Sequence, residues 1–184
     1  MLMKSEHYYH LKRLTVAAMM LALALLLPFL TGQIPSIGKM LCPMHIPVLL
    51  CGLLCGPIFG FAVGLVAAPL RFVLFGAPQM PNVLYMTAEL ATYGLLSGIF
   101  SRILPKKTSG LYASLALSML GGRIAYAFIF IAINLSNAKT IEALIIPIIS
   151  ATVLMAWPGM ILQLLLIPTL LIVLQKAKII PLKK

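Results

Sequence analysis

The segment Cys42–Gly64 reads CPMHIPVLLCGLLCGPIFGFAVG, and it decides the fold class of this chain. It places a histidine between two prolines at the start of an apolar run, and glycines then recur every four residues from Gly52 to Gly64. In hydrocarbon, small residues at this spacing let helix backbones approach closely, because packing must replace the missing hydrophobic drive. The segment therefore predicts packed membrane helices. We expect Gly56-Pro57 to turn one span into the next, with Gly52 and Gly60 at the close approach.

The composition of the whole chain also indicates a membrane protein. Of its 184 residues, 62% are hydrophobic and 9% are charged, whereas about a quarter of a soluble domain is charged. The mean hydropathy is +1.10. The length, and a sequence without linker-like or low-complexity segments, predict one membrane domain over residues 1–184.

Outward from the opening segment, the apolar pattern predicts an all-α membrane protein with a bundle of six transmembrane helices. The predicted spans cover residues 14–31, 43–55, 58–75, 83–104, 111–135 and 151–174. The second is short for a span of roughly 20 residues. We interpret residues 141–149 as a loop or an interfacial helix, and we expect the last span to kink near Pro158.

The net charge of +11 is concentrated in three clusters, at the N-terminus, in residues 102–107 and in residues 176–184. With six spans, all three clusters fall on one side, which the positive-inside rule makes cytoplasmic. Both termini are therefore predicted to be cytoplasmic, with a secondary attraction to the lipid bilayer. The clusters carry no interleaved aromatics and no groove-reading motif, so nucleic-acid binding is excluded as a function class.

Three ionisable residues, Arg71, Glu89 and Arg123, lie within the predicted spans, where such residues are costly and usually functional. Counting about 1.5 Å per residue puts Arg71 and Glu89 at similar depth, so we expect them to pair. Arg123 is then expected to lack a carboxylate, which favours an anionic ligand or capping by backbone carbonyls. The alternative is that all three have structural roles only.

Polar and aromatic residues on the same spans complete a candidate small-molecule site at the outer side. Tyr93 lies one helical turn from Glu89, and Tyr126 lies three residues after Arg123. Packing or a membrane-interface belt is the alternative for Tyr126 and Trp157. The candidate substrate-binding residues are Arg123, Glu89, Tyr93, Arg71, Tyr126, Asn134, Trp157, Gln163 and, at the lip, His45.

Motifs for catalysis or metal binding are missing from the sequence. It contains no Gly-x-Ser-x-Gly, HExxH, Walker or paired-acid pattern. Cys51 and Cys55 are four residues apart, without a CxxC and without a histidine or acid at ligand spacing. We therefore predict no catalytic residue, no metal site and no cofactor.

Several of these segments together resemble the substrate-binding S components of the energy-coupling factor (ECF) vitamin transporters. In the first span, Ala18 and Ala22 match the alanine-x-x-x-alanine pattern with which the family's first helix packs on the coupling subunit. The segments that carry the resemblance are Pro43–Leu50 with Cys51-Gly52 and Gly56-Pro57, Leu70–Gly76, Glu89–Gly94, and Trp157-Pro158-Gly159 with Gln163.

The resemblance implies a six-helix S component in a prokaryotic plasma membrane that binds a vitamin or cofactor precursor between its later helices and its first and third outer loops. Its partners would be a transmembrane coupling subunit and two ATPase subunits. They would hydrolyse the ATP, so the chain itself would not be an enzyme. Transport would involve tipping of the loaded S component in the bilayer.

The predicted unpaired Arg123 favours an acidic substrate such as pantothenate or folate. Two other classes stay open from the sequence. One is a stand-alone secondary transporter or channel for a small organic molecule, and the other is an intramembrane enzyme. The first would transport without ATPase partners, and the second would need a nucleophile and base that the sequence does not show.

Overall fold

The computed structural model describes residues 2–30, 40–105, 107–136 and 140–176, and these ranges are helical with short connections and no strand. A π-helical segment, Ser150–Leu154, lies between the last two α-helices. The α-helices are α1 (Leu2–Leu30), α2 (His45–Cys55), α3 (Pro57–Phe75), α4 (Asn82–Ile103), α5 (Thr108–Asn134), α6 (Glu142–Ile149) and α7 (Trp157–Lys176).

Five stretches are long and apolar enough to cross a membrane, and α2 is a shorter apolar helix beside them. This result supports the predicted class of helical membrane bundle. The five stretches are Tyr9–Leu30, Pro57–Phe75, Asn82–Ile103, Thr108–Asn134 and Glu142–Val173.

The C-terminal part contains a helix at residues 142–149, where a loop or an interfacial helix was predicted. Residues 142–173 form one apolar stretch of 32 residues, in which α6 runs directly into the π-helical segment. A turn at Met155 and Ala156 interrupts the helix next to Pro158, where a kink was predicted. Pro158 itself is the second residue of α7, where the missing N–H has no helical partner to lose. Thr31, most of the first outer loop, Lys106 and the C-terminal residues 177–184 lie outside the described residues. The side of the membrane on which the termini lie stays a prediction.

Helix α2 lies in the interior of the bundle. Nine of its 11 residues are buried, and it packs against α1, α3 and α4. At about 1.5 Å per residue it is roughly 16 Å long, about half of a hydrocarbon core of about 30 Å. Its first residue, His45, is therefore held inside the protein and not at the end of a full span.

The predicted turn at Gly56-Pro57 reverses the chain between α2 and α3. Gly56 has a φ of 99°, which glycine adopts readily. A Cβ added to Gly60 would lie 2.7 Å from the Cα of Gly52 and would overlap the carbonyl of Gly94 on α4. The predicted close approach of α2 and α3 is therefore confirmed, and α4 crosses at the same place.

Helix α4 joins the short helix α2 to α5. Ser97 on α4 donates a hydrogen bond to the carbonyl of Leu49 on α2 at 3.3 Å. Ser114 on α5 donates to the carbonyl of Ser97 at 3.4 Å. Hydrogen bonds of this kind hold helices together where no water competes. They fix α2, α4 and α5, the helices that carry His45, Glu89 and Arg123.

Candidate functional site

A buried ion pair between α4 and α5 lies at the centre of the candidate site. Nη1 of Arg123 is 2.7 Å from Oε1 of Glu89, and the two side chains are 12% and 3% exposed. Because desolvating a charge is expensive, a carboxylate at this position needs a partner. The prediction that Glu89 pairs with Arg71 and that Arg123 lacks a carboxylate is therefore wrong.

Arg71 is instead satisfied by α1 and by the end of its own helix. Its Nη1 donates to the carbonyl of Leu25 at 2.8 Å. Its guanidinium lies over the rings of Phe29 and Phe75, at 5.3 and 5.7 Å from their centroids. None of the described contacts of Arg71 is to Glu89.

His45 and Tyr93 complete the surroundings of the Glu89 carboxylate. Nε2 of His45 lies 3.4 Å from Oε1 of Glu89, and Tyr93 lies one helical turn after Glu89 on α4. The two rings meet edge to face with their centroids 5.0 Å apart. His45 and Tyr93 are both buried. The structure thus brings together four of the predicted residues: His45, Glu89, Tyr93 and Arg123.

Cys42, which the sequence analysis did not single out, contacts residues of three helices. Its carbonyl accepts hydrogen bonds from the N–H of His45 at 3.0 Å and from Nε2 of Gln163 on α7 at 3.4 Å. Its sulfur accepts a long hydrogen bond from Arg123 at 4.0 Å. The backbone of Cys42 has a φ of 47°, which is uncommon outside glycine. No sequence pattern marks a residue that acts through its carbonyl and an unusual backbone angle.

An aromatic cluster of Tyr85, Tyr126 and Phe130 lies next to the ion pair along α4 and α5. The ring centroid of Tyr85 is 5.5 Å from that of Tyr126 and 5.1 Å from that of Phe130. Asn134 donates a hydrogen bond to the Tyr85 hydroxyl at 2.7 Å. The predicted residues Tyr126 and Asn134 therefore lie in the same cluster. The prediction missed the rings of Tyr85 and Phe130. The signal for Tyr85 is its position one turn before Glu89 on the same helix face.

Comparison with known proteins identifies the family. The family model for the substrate-specific component of ECF transporters matches residues 12–171. The chain belongs to this family. It matches no curated protein and no solved structure. The resemblance seen in the sequence is thus confirmed, and the chain is a substrate-specific subunit of an ECF transporter. Such S components in general work with a membrane coupling subunit and with ATPases.

Helix α7 of this S component carries two of the predicted site residues, of which one lies in the candidate site and the other at the surface. Gln163 is 1% exposed and contacts Cys42, whereas Trp157 is 57% exposed. The close approach of α7 depends on Gly159, because a Cβ there would lie 2.8 Å from the backbone of Leu41. The exposed indole of Trp157 at the start of α7 fits the alternative of a membrane-interface residue.

No group of three or more histidine, cysteine or acidic side chains in the described ranges is arranged to hold a metal ion. The cluster of Glu89, Arg123, His45 and Gln163 is instead built of hydrogen-bond donors and acceptors. A cluster of this composition beside aromatic rings can bind and orient a small organic molecule.

Proposed function

We propose that this S component captures a vitamin or cofactor precursor at the outer side of a prokaryotic plasma membrane and delivers it by tipping in the bilayer. The observation that carries the proposal is the buried polar cluster around Glu89, Arg123 and Cys42, with the aromatic cluster beside it. Ionisable groups in membrane interiors are rare, and they usually mark a substrate or ion pathway.

The orientation in the membrane follows from the charges at the two ends of the bundle. Arg102 lies against the Gly56 turn, since a Cβ on Gly56 would meet its guanidinium. Helix α1 begins at the same end, because His10 and Leu14 line a groove together with Phe59 of α3. The positive-inside rule favours a cytoplasmic position for this end. Glu89, about 10 Å from the opposite end of α4 by the rise per residue, would then lie in the outer half.

The charge of the substrate no longer follows from Arg123. Glu89 neutralises this arginine, so the reason to expect an acidic substrate such as pantothenate or folate is lost.

The proposal includes a transmembrane coupling subunit and two ATPase subunits that hydrolyse the ATP, with no catalytic step on this chain. A carrier or channel that works alone would need none of these partners.

Ala18 and Ala22 form the proposed contact with the coupling subunit. Both are exposed on α1, whereas Ala17 and Ala24 are buried against the bundle. Small residues four apart on an exposed face permit a close helix–helix contact in the membrane. The exposed face of α1 is therefore available to a partner helix without rearrangement of the bundle.

Co-expression with the coupling and ATPase subunits of the same organism tests the proposal. The wild-type chain should copurify with all three, and replacement of both Ala18 and Ala22 by leucine should reduce the copurified ATPase severalfold. Ala132→Leu, at an exposed alanine of α5, is the matched control and should assemble normally. A wild-type chain that transports without ever binding these subunits would show a stand-alone carrier instead.

Native mass spectrometry of the protein purified without added substrate tests the capture step. We expect a bound small molecule with the mass of a vitamin or cofactor precursor. Disruption of the Ala18 and Ala22 face should leave this mass in place, because those residues lie outside the polar cluster. Loss of the bound molecule in that variant would contradict the separation of the two roles.

A further inference from the structure

Six buried polar atoms of the candidate site have no hydrogen-bond partner among the described residues. Two of them, Nε2 of His45 and Oε1 of Glu89, lie 3.4 Å from each other, and a third is the hydroxyl of Tyr93. The other three are Nδ1 of His45, Nε of Arg123 and Oε1 of Gln163. Buried polar atoms are paired in the large majority of cases. The nitrogen of the Gln163 amide donates to the carbonyl of Cys42, which fixes the orientation of this amide and leaves its oxygen as an acceptor. Three such atoms in one cluster point to a ligand that pairs with them.

The residues that carry these atoms all meet at Cys42. The N–H of His45 and the amide of Gln163 share its carbonyl, at 3.0 and 3.4 Å. The guanidinium of Arg123 reaches its sulfur at 4.0 Å. The three residues therefore belong to one locus, and they offer a donor from Arg123, an acceptor from Gln163 and a ring nitrogen of either kind from His45.

The central ion pair of this locus has no net formal charge. The carboxylate of Glu89 and the guanidinium of Arg123 compensate each other at 2.7 Å. A charged ligand would add a buried charge without a counter-ion, which is strongly unfavourable. A ligand with a carboxylate at this place could not donate a hydrogen bond to Oε1 of Gln163, because an ionised carboxylate has no hydrogen to donate.

We propose that the site takes an uncharged ligand that carries a carbonyl next to an N–H, as in an amide, a lactam or a ureido group; this inference rests on the proposed function. The carbonyl accepts from Nε of Arg123, and the neighbouring N–H donates to Oε1 of Gln163. The apolar or aromatic body of the ligand packs against Tyr85, Tyr126 and Phe130, whose rings lie beside the ion pair.

Matched pairs of probes test the charge and the donor. Nicotinamide and nicotinate share one ring and differ in the amide and the carboxylate. Riboflavin, which is uncharged and contains an imide, is compared with pantothenate and folate, which are anions. In calorimetry on the purified S component, the uncharged member of each comparison should bind at least about tenfold more tightly, the factor for one lost buried hydrogen bond. Tighter binding of the anions, or no binding of any probe, would overturn the proposal.

Variants that change the charge of the Glu89–Arg123 pair test the same preference between uncharged and anionic probes. Glu89→Gln leaves Arg123 without its carboxylate and should shift the preference toward nicotinate by about tenfold or more. The double variant Glu89→Gln/Arg123→Gln removes both charges and should abolish that shift. Arg71→Gln, at a buried arginine outside the cluster, is the matched control and should leave the preference unchanged. An unchanged preference in Glu89→Gln would contradict the proposal.

If Glu89→Gln does not fold, the variant Gln163→Leu tests the same inference. It removes the acceptor without changing a charge, so nicotinamide should lose affinity while nicotinate does not. Equal losses for both probes would refute the proposed donor contact. An S component that assembles with its partners but retains an anionic compound would overturn this inference alone. One that binds amides but never assembles would overturn the proposed function alone.

Discussion

The two buried arginines of this protein, Arg71 and Arg123, are accommodated in different ways. Arg71 lies four residues before the end of α3 and is held by one carbonyl and two ring faces. Arg123 lies eleven residues before the end of α5 and pairs with a carboxylate. At about 1.5 Å per residue, these positions are roughly 6 and 16 Å from the helix ends. The deeper guanidinium has the charged partner, and the shallower one is satisfied by neutral groups.

This difference separates structure from recognition. The contacts of Arg71 tie α1 to α3, and all its described partners belong to those two helices. The contacts of Arg123 involve α4 and the Cys42 segment, which also holds α7. We therefore expect substitutions at Arg71 to change stability alone, and substitutions around Arg123 to change both stability and binding.

The largest effect is expected from removal of the carboxylate beside Arg123. Glu89→Leu leaves a buried guanidinium without a counter-ion, and it should lower the free energy of unfolding by about 3–5 kcal/mol. Unfolding by SDS titration in mixed micelles measures this change. The double variant Glu89→Leu/Arg123→Met buries no charge and should recover most of the loss. If the double variant is no more stable than Glu89→Leu, the loss of stability does not come from the unpaired charge of Arg123.

A smaller effect is expected at the other arginine. Arg71→Met keeps an apolar stem but loses the charged donor to Leu25, so the free energy of unfolding should fall by about 1.5–3 kcal/mol. The same SDS titration measures it, and calorimetry with nicotinamide should give the wild-type affinity. A large loss of affinity in this variant would place Arg71 in the binding site and break the contrast with Arg123.

The smallest effect is expected from the rings around Arg71. Phe75→Leu removes one cation–π contact and should cost about 0.5–2 kcal/mol in SDS titration. In an Arg71→Met background the same substitution should cost less, because the cation is already gone. Equal costs in the two backgrounds would show that Phe75 stabilises the protein by packing alone.

The helical part of the fold was predictable because its signals are local. Apolar runs and the Gly56-Pro57 break depend on neighbouring residues, and both appear in the structure. The continuity of α6 into the π-helical segment was not predictable, because Pro147, which lies inside α6, indicates an interruption in the sequence. Whether a proline interrupts a helix depends on whether its turn needs the missing donor, and Pro158 stands where none is needed.

The members of the candidate site were more predictable than their pairing. His45, Glu89, Arg123 and Gln163 stand out because polar groups are rare in apolar spans, and the structure brings them together. Their partners could not be derived, because residue counting gives depth along a helix but not the direction in which a side chain points. Arg71 and Glu89 have similar predicted depths, yet Arg71 faces α1 and Glu89 faces α2 and α5.

The short, buried helix α2 has a consequence for how this protein enters the membrane. A segment of 11 residues cannot cross a bilayer alone, because a span needs about 20 residues. Helix α2 must therefore be inserted as one arm of a hairpin with α3, folded at Gly56. Its close contacts with Gly94 and Ser97 can form only after α4 has been synthesised. The bundle interior is thus completed late in biogenesis, and a chain released before α4 would expose an arm too short to stay in the membrane.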